Sequence, residues 1–324
     1  MNHSTLKPSA TLAQSAQIIG LHADYAATYE TLTYPNFWPV LHSMAENPSV
    51  VAVGAEVEGV PVGLAIACLD RSDDSVNRED DQPLQGQVLS LFVTPEHRNR
   101  GLGRLLLTHL ETQLCDRGCQ QLEIRYLSSP QSPALEQILV QQQWFAPQVT
   151  ALVCYASTDR VRQAPPPHLV DYLGRWLDRL PAHYQFFLWT ELTPAERTDL
   201  EQRMQGDGLM QRFNPFLDAD RLEPLNSLGL RCDNRIIGWV ITHRIAADTI
   251  RYTQMYVDPA SQPLSRSTLL LAKAIQLQVE QLPHTKGTFR VDIDNAPMVR
   301  FVHRRLKPYL DEVRTAYCAI KILQ

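Results

Sequence analysis

The sequence predicts an α/β fold present twice along the chain, and three observations predict it. A strand–loop–helix unit runs from Val88 to Gly118: an apolar run of strand formers to Val93, a break at Thr94-Pro95, then a helix marked by Leu102, Leu105, Leu106, Leu110 and Leu114. Val257-Asp258-Pro259 repeats Val93-Thr94-Pro95 at an offset of 164 positions, and a second hydrophobic helix, Leu269 to Leu282, follows in register. Pro165-Pro166-Pro167 lies between the two as a stiff, extended connector. A chain of 324 residues is too long for one ordinary compact domain and suits two.

Composition narrows the class. Hydrophobic residues at 44% supply real cores, and charged residues at 20% do not describe a disordered chain. A net charge of -5 argues against nucleic acid as the main partner. The first residues lack the apolar core of a signal peptide and no apolar run approaches membrane-spanning length, so the expectation is a soluble, cytoplasmic protein without a membrane span. Cys68, Cys115, Cys119, Cys154, Cys232 and Cys318 are dispersed, which predicts neither a structural metal nor a disulfide framework.

Taken in order, a tail precedes a helical pattern from Ile18 to Glu46, broken at Tyr34-Pro35-Asn36. Its aromatic residues Tyr25, Tyr29, Tyr34, Phe37 and Trp38 suit core packing or substrate contact. Val50 to Glu58 and Val62 to Leu69 read as strands joined by a turn at Glu58-Gly59-Val60-Pro61. The acidic segment Arg71 to Gln85 reads as a solvated loop. After the central helix, which Gly118 stops, come a strand at Gln121 to Leu127 and a helix with Ser132 as N-cap and Pro133 in its first position. A closing strand follows at Val149 to Tyr155.

Beyond the prolines, Leu169 to Leu180 is helix-patterned. Gln185 to Thr190 reads as a strand, and Thr193-Pro194-Ala195-Glu196 has capping-box spacing. Leu228 to Cys232 and Ile236 to Arg244 read as strands about a turn at Asp233-Asn234, and Asn295 opens a further helix as Ser132 does. Gly238 falls near the counterpart of Gly63.

The loop Arg98-Asn99-Arg100-Gly101-Leu102-Gly103-Arg104 is where chemistry is expected. A loop entering a helix presents unpaired N–H groups at the positive end of the helix dipole, and glycines remove Cβ atoms that would hold an anion away. Arg98, Arg100 and Arg104 add cationic character, so the ligand predicted here carries phosphates. A nucleotide P-loop is excluded because no Gly-Lys-Ser/Thr follows, and a dinucleotide site because the glycines do not read Gly-x-Gly-x-x-Gly.

The spacing Arg98-x-x-Gly101-x-Gly103, after the strand ending at Val93 and Pro95, resembles the acyl-CoA signature of the GCN5-related N-acetyltransferase (GNAT) superfamily. The resemblance implies two tandem GNAT folds with mixed sheets: residues 1–159 binding acyl-CoA, a linker and bridging helix at 160–184, and a degenerate copy at 185–324. It implies that the amides of residues 99 to 104 hold the CoA pyrophosphate, that Leu91, Phe92 and Val93 pair with the pantetheine arm, and that Ser132 stands on the cofactor side. An amide near Val93 would hold the thioester carbonyl while an uncharged amine attacks.

The chain departs from the family at the acid and base. Gln87 and Leu89 stand where relatives often carry a Glu or His base, and Val140 or Val302 where they carry a Tyr acid. Glu123, Tyr126 and Tyr155 are the candidate substitutes. In the second copy, Gln262-Pro263-Leu264-Ser265-Arg266-Ser267 aligns with the cradle but loses an amide at Pro263 and both glycines. The expectation is therefore an N-acyltransferase moving an acetyl or longer acyl group from CoA to an amine of a small molecule or peptide, with lysine or ornithine side chains among the acceptors. A non-catalytic acyl-CoA sensor or scaffold is the alternative. The chain would be a pseudo-dimer in itself, monomeric or homodimeric.

Overall fold

The computed structural model describes residues 16–69, 84–163, 181–261 and 266–323. The expectations for the amino-terminal tail, the acidic stretch 71–83, the triple-proline connector, the segment Leu169 to Leu180 and the second cradle at Gln262 to Ser265 lie outside these residues. Contacts group the chain into two units, 1–150 with 316–324, and 151–315.

In the first unit, strands β1 (Ala16–Gly20), β2 (Val50–Val57), β3 (Val60–Leu69) and β4 (Gln85–Val93) form an antiparallel series. β5 (Gln121–Leu127) runs parallel to β4, as the long crossover between them requires. β2 and β3 meet in a two-residue turn with Glu58 and Gly59 both at positive φ, 54° and 76°, the twist that suits a tight hairpin. β1 corrects the helical reading of residues 18 to 20, whose alternation is too short to separate the two periods. The rest of that stretch forms two short helices, α1 (Ala26–Tyr29) and α2 (Trp38–His42), with single 3-10 turns around them.

One face of this sheet packs against the central helix α3 (Leu102–Asp116), where Leu102, Leu106, Leu107, Leu110 and Leu114 are buried. Each contributes roughly 2 kcal/mol of apolar burial, so the helix and the loop ahead of it are fixed on the sheet. Gly118, at φ 86°, closes the helix as expected, with its N–H on Cys115 O and that of Cys119 on Leu114 O. Helix α4 (Ser132–Gln141) lies on the same face through Leu139. The other face packs on α1 and α2 through Tyr29, Leu41, Leu64 and Ile66. Tyr29 is core, whereas Tyr34 is 73% exposed.

The second unit repeats this plan. β7 (Tyr184–Leu188), β8 (Leu228–Cys232), β9 (Arg235–Ala246) and β10 (Thr249–Val257) are antiparallel, and β11 (Lys286–Asp292) is parallel to β10. Helix α6 (Pro194–Gln205) starts with the expected box: Thr193 Oγ1 accepts from the Glu196 amide, and Glu196 Oε2 accepts from the Thr193 amide. It follows α5 (Thr158–Gln163) and precedes α7 (Gly208–Arg212), α8 (Arg266–Gln281) and α9 (Ala296–Phe301). The starts of β4 and β10, of α3 and α8, and of α4 and α9 are each 164 positions apart. Gly63 pairs with Val93 and Gly238 with Val257, so the two glycines are counterparts in register.

The sixth strand of each unit corrects the sequence reading. β6 (Gln148–Ser157), expected to close the first copy, pairs instead with β11 of the second unit, Cys154 opposite Phe289. β12 (Glu312–Ile322) pairs with β5 of the first unit, Ile320 opposite Glu123. The boundaries 1–159 and 185–324 therefore do not describe the units. Alternation of apolar residues tells a strand which face to bury, but not which of two similar edges to join.

Candidate functional site

β4 and β5 are paired only from Gln85–Gln121 to Val88–Ile124. At that point β4 carries a bulge: Val88 pairs with Ala67 and Ser90 with Ile66, so Leu89 has no opposite number on β3. Leu89 then turns toward the α1–α2 face, where the Ser90 hydroxyl meets Thr33 Oγ1 at 2.9 Å. Beyond the bulge, β4 diverges from β5, leaving a notch bordered by Leu89–Val93 on one side and Arg125–Leu127 on the other. β5 itself stays paired with β12 over its whole length. The second unit has the same device, with Thr253 unpaired in β10 and β10–β11 pairing limited to residues 249–251.

The loop that follows β4 leads into α3. Thr94 Oγ1 lies 3.0 Å from His97 Nδ1, which tightens the first turn. Asn99 and Gly101 then adopt positive φ, 59° and 84°, and Gly101 caps α3 without a side chain. The amides of residues 99 to 104 donate to no protein acceptor among the described residues. Arg100 and Arg104 form no ion pair there either. Unpartnered amides at a helix start are the geometry that an anion site requires.

Three details differ from that reading. Arg98 turns back, donating from Nε to Val93 O at 2.9 Å with its guanidinium 5.7 Å from the Phe92 ring, so it braces the loop. Gly101 is required by its positive φ, since a Cβ there would meet nothing within 4 Å. Gly103 is required by packing: a Cβ would sit 3.0 Å from Ile138 Cδ1 of α4. Leu102 is buried in the core, and the side chains of Leu91 and Val93 pack on that same core, so these residues offer the site only backbone.

Ser132 is not the cap of α4, which Gln131 begins. Its hydroxyl accepts from the Ser129 amide at 2.9 Å and donates to Leu127 O at 3.3 Å, occupying it in the turn after β5.

Glu123 and Tyr126 flank the closed end of the notch on opposite faces of β5. Glu123 is the register partner of Gln87, receives a 3.4 Å hydrogen bond from it, and lies 2.6 Å from Arg125 Nε. Its other oxygen accepts from Cys318 Sγ at 3.4 Å. Burial, with the neighbouring carboxylate, pushes the Cys318 thiol up, and the hydrogen bond to Glu123 raises Arg125. Tyr126 stacks on Tyr317 at 5.3 Å and donates to Glu136 Oε1 of α4 at 3.1 Å. Burial first, and then Glu136, raises its pKa, so it is held as a neutral phenol.

Tyr155 falls in the second unit, where the register pairs it with Thr288 and Arg314 lies 5.4 Å from its ring. Grouping it with Glu123 and Tyr126 followed from placing β6 in the first copy. Val140 is 70% exposed and Val302 fully buried, so neither position supplies an acid. The bulge at Leu89 and the pairing of Gln87 with Glu123 were missed, since no local motif marks them.

Among the described residues no group of three or more His, Cys, Asp or Glu is placed to hold a metal ion, and no helix is long and apolar enough to cross a membrane. None of the six cysteines is joined in a disulfide. No curated protein sequence matches the chain. Residues 18–136 match the acetyltransferase (GNAT) family. The fold is similar to that of a tandem GNAT protein from the clavulanic acid biosynthesis pathway, with 14% identity, a TM-score of 0.63, and 95% of this chain and 99% of that one covered. A GCN5-related N-acetyltransferase from Sphaerobacter thermophilus matches at 15% identity and a TM-score of 0.54, covering 97% and 98% of the two chains. A fungal GCN5-related glucosamine N-acetyltransferase region matches at 13% identity and 0.53, covering 94% of this chain and 38% of that one. Residues 18–136 thus match the GNAT acetyltransferase family, and the chain as a whole has a fold similar to that of a tandem GNAT protein.

Proposed function

We propose that the first unit is an acyl-CoA-dependent N-acyltransferase whose acceptor is an amine of a small molecule or peptide. The observation that supports this most is the parting of β4 from β5 after Val88, directly ahead of a helix start whose amides 99 to 104 are unpartnered. Those amides, with Arg100 and Arg104, suit the CoA diphosphate, and the backbone of Leu91 to Val93 is free toward the notch to bond an extended pantetheine arm. Acyl-CoA supplies an activated thioester; the remaining work is positioning and proton handling.

Glu123 stands on the α1–α2 face at the closed end of the notch and accepts the amine's proton, directly or through one water. Arg125 and Gln87 fix its carboxylate. Tyr126, on the α3–α4 face and held neutral, turns its hydroxyl to donate a hydrogen bond to the departing thiolate, which takes its proton from solvent. The acyl group is acetyl or longer. A glucosamine N-acetyltransferase region among the similar folds is consistent with small amine acceptors.

Incubation with acetyl-CoA and longer acyl-CoA donors across an amine panel, with free thiol as the readout, tests the proposal. Turnover with any amine supports it. Tight CoA binding without turnover on any acceptor would make the chain a sensor, the reading favoured by Val140 and Val302 at the acid position. Absence of CoA binding would remove both.

A further inference from the structure

Arg251 of β10 occupies, at the 164-residue offset, the position that Gln87 holds in β4. It is half-buried, its Nε is fully buried, and that Nε meets no acceptor. No carboxylate lies within ion-pair distance of its guanidinium among the described residues. Its neighbours differ: Arg244 is paired with Glu223 at 2.6 Å, Arg290 with Asp292 at 3.0 Å, and Arg314 with Glu312 at 2.8 Å. A buried guanidinium N–H without an acceptor is costly, and an anion on the same side chain would offset that cost.

The surroundings are built for one. The register partner of Arg251 on β9 is His243, which is 1% exposed. His243 Nδ1 lies 2.7 Å from the hydroxyl of Thr253, the bulge residue, while Nε2 is buried without a hydrogen bond of normal geometry, the Leu217 backbone lying near the ring. Burial lowers the pKa of His243, which keeps the ring neutral and leaves Arg251 as the local cation. Across the sheet, the same row continues through Thr288 to Tyr155, so Tyr155 shares this face, and its hydroxyl bonds to no described residue. Asp218 and Asp220 act on His243 and form no ion pair with Arg251, and Asp220 lies 3.8 Å from Arg221.

We propose that this face of the second unit binds a small monocarboxylate, with the carboxylate forked on Arg251 and a second polar contact to the Thr253–His243 pair. One guanidinium neutralises one carboxylate and offers it two parallel N–H donors. A phosphate dianion would leave a negative charge uncompensated in a half-buried site. Gln87 at the matching position of the first unit has no charge, so the two units bind different ligands. The inference rests on the second unit alone and holds whether or not the first transfers acyl groups.

The test is titration of the 15N-labelled protein with acetate, glycine and L-alanine, each against its primary amide and against inorganic phosphate, following the Arg251 Nε–H resonance. That signal is identified by its loss in Arg251→Gln. A saturable downfield shift with a millimolar Kd for one or more carboxylates, and none for the amides, is expected. Arg251→Gln abolishes the binding, and Arg251→Lys, which keeps charge but loses the fork, weakens it about tenfold. Should the Gln variant fail to fold, the Lys variant decides. Equal shifts with the amides, tighter binding of phosphate, unchanged affinity in Arg251→Lys, or no saturable shift with any carboxylate would overturn the proposal.

Discussion

Lys321 Nζ lies 2.5 Å from Glu111 Oε2, joining β12 to the central helix of the first unit across 210 positions. Trp144 Nε1 donates to the other carboxylate oxygen at 2.8 Å, and Glu111 is only 7% exposed. A buried carboxylate with a cation and an indole donor is stable; the same carboxylate without the cation is not. Lys321→Met should therefore destabilise the protein by about 2–4 kcal/mol in urea denaturation. The double variant Glu111→Gln/Lys321→Met should recover most of that loss. A single-variant effect below about 0.5 kcal/mol would mean that the carboxylate is already hydrated.

Gly101 separates the cradle from the fold. Its φ of 84° opposes any other residue, so Gly101→Ala should cost roughly 1 kcal/mol of stability. Gly101→Glu adds a negative charge at the same point, and calorimetry should find CoA binding abolished in a protein that still folds. Ser265→Glu in the second copy should change CoA affinity far less. Equal losses in the two variants would reverse the assignment of the copies.

Glu123 and Tyr126 should separate in kinetics. Glu123→Gln is expected to lower kcat by about 10²–10³-fold with the KM for acyl-CoA unchanged, because the proposed role of the carboxylate is toward the acceptor. Tyr126→Phe removes one donor and should lower kcat about tenfold. If Glu123→Gln left kcat intact, the proton would leave by another route, and the role given to this carboxylate would be withdrawn.

Glu196 sets a pH dependence. Two hydrogen bonds from Arg231, at 2.6 and 3.1 Å, bring its carboxyl from 4.5 to about 2. A depressed folded-state pKa means that the pair's stabilisation is complete above the unfolded value near 4.5 and is lost as pH falls toward 2. With solvent screening at this partly exposed site, it is on the order of 1–2 kcal/mol. The Tm difference between the wild type and Arg231→Met should stay constant at neutral pH and narrow below about 4.5. A pH-independent remainder is expected from the lost contact of Arg231 with the Phe187 ring, 3.6 Å away. A gap that does not narrow on acidification would contradict the charge-based account.

Much of this architecture was legible because it is local. The leucines of α3, the positive-φ stop at Gly118, the box at Thr193 and Glu196, and the Asn295 cap, which accepts from the Met298 amide at 3.2 Å, are each settled within a few residues. The turn at Gly101 into α3 was legible for the same reason. What escaped is non-local. Whether Leu89 bulges depends on how β3 is spaced against it, and Gln87 meets Glu123 only through strand pairing. The role of Gly103 depends on Ile138, 35 positions away. Tyr155 was placed in the wrong unit because its strand suits either of two edges.

The exchange of β6 and β12 also sets an order of events during synthesis. The amino-terminal half leaves the ribosome first, yet the strand that covers β5 is translated only after the whole of the second unit. Until residues 316–322 emerge, β5 presents a bare row of N–H and C=O groups on that side, a template for mispairing with other nascent chains. A gene fragment stopping after the first copy would encode an open-edged protein. Supplying the missing strand as a separate peptide should restore its solubility, and failure to do so would show that the edge is protected some other way.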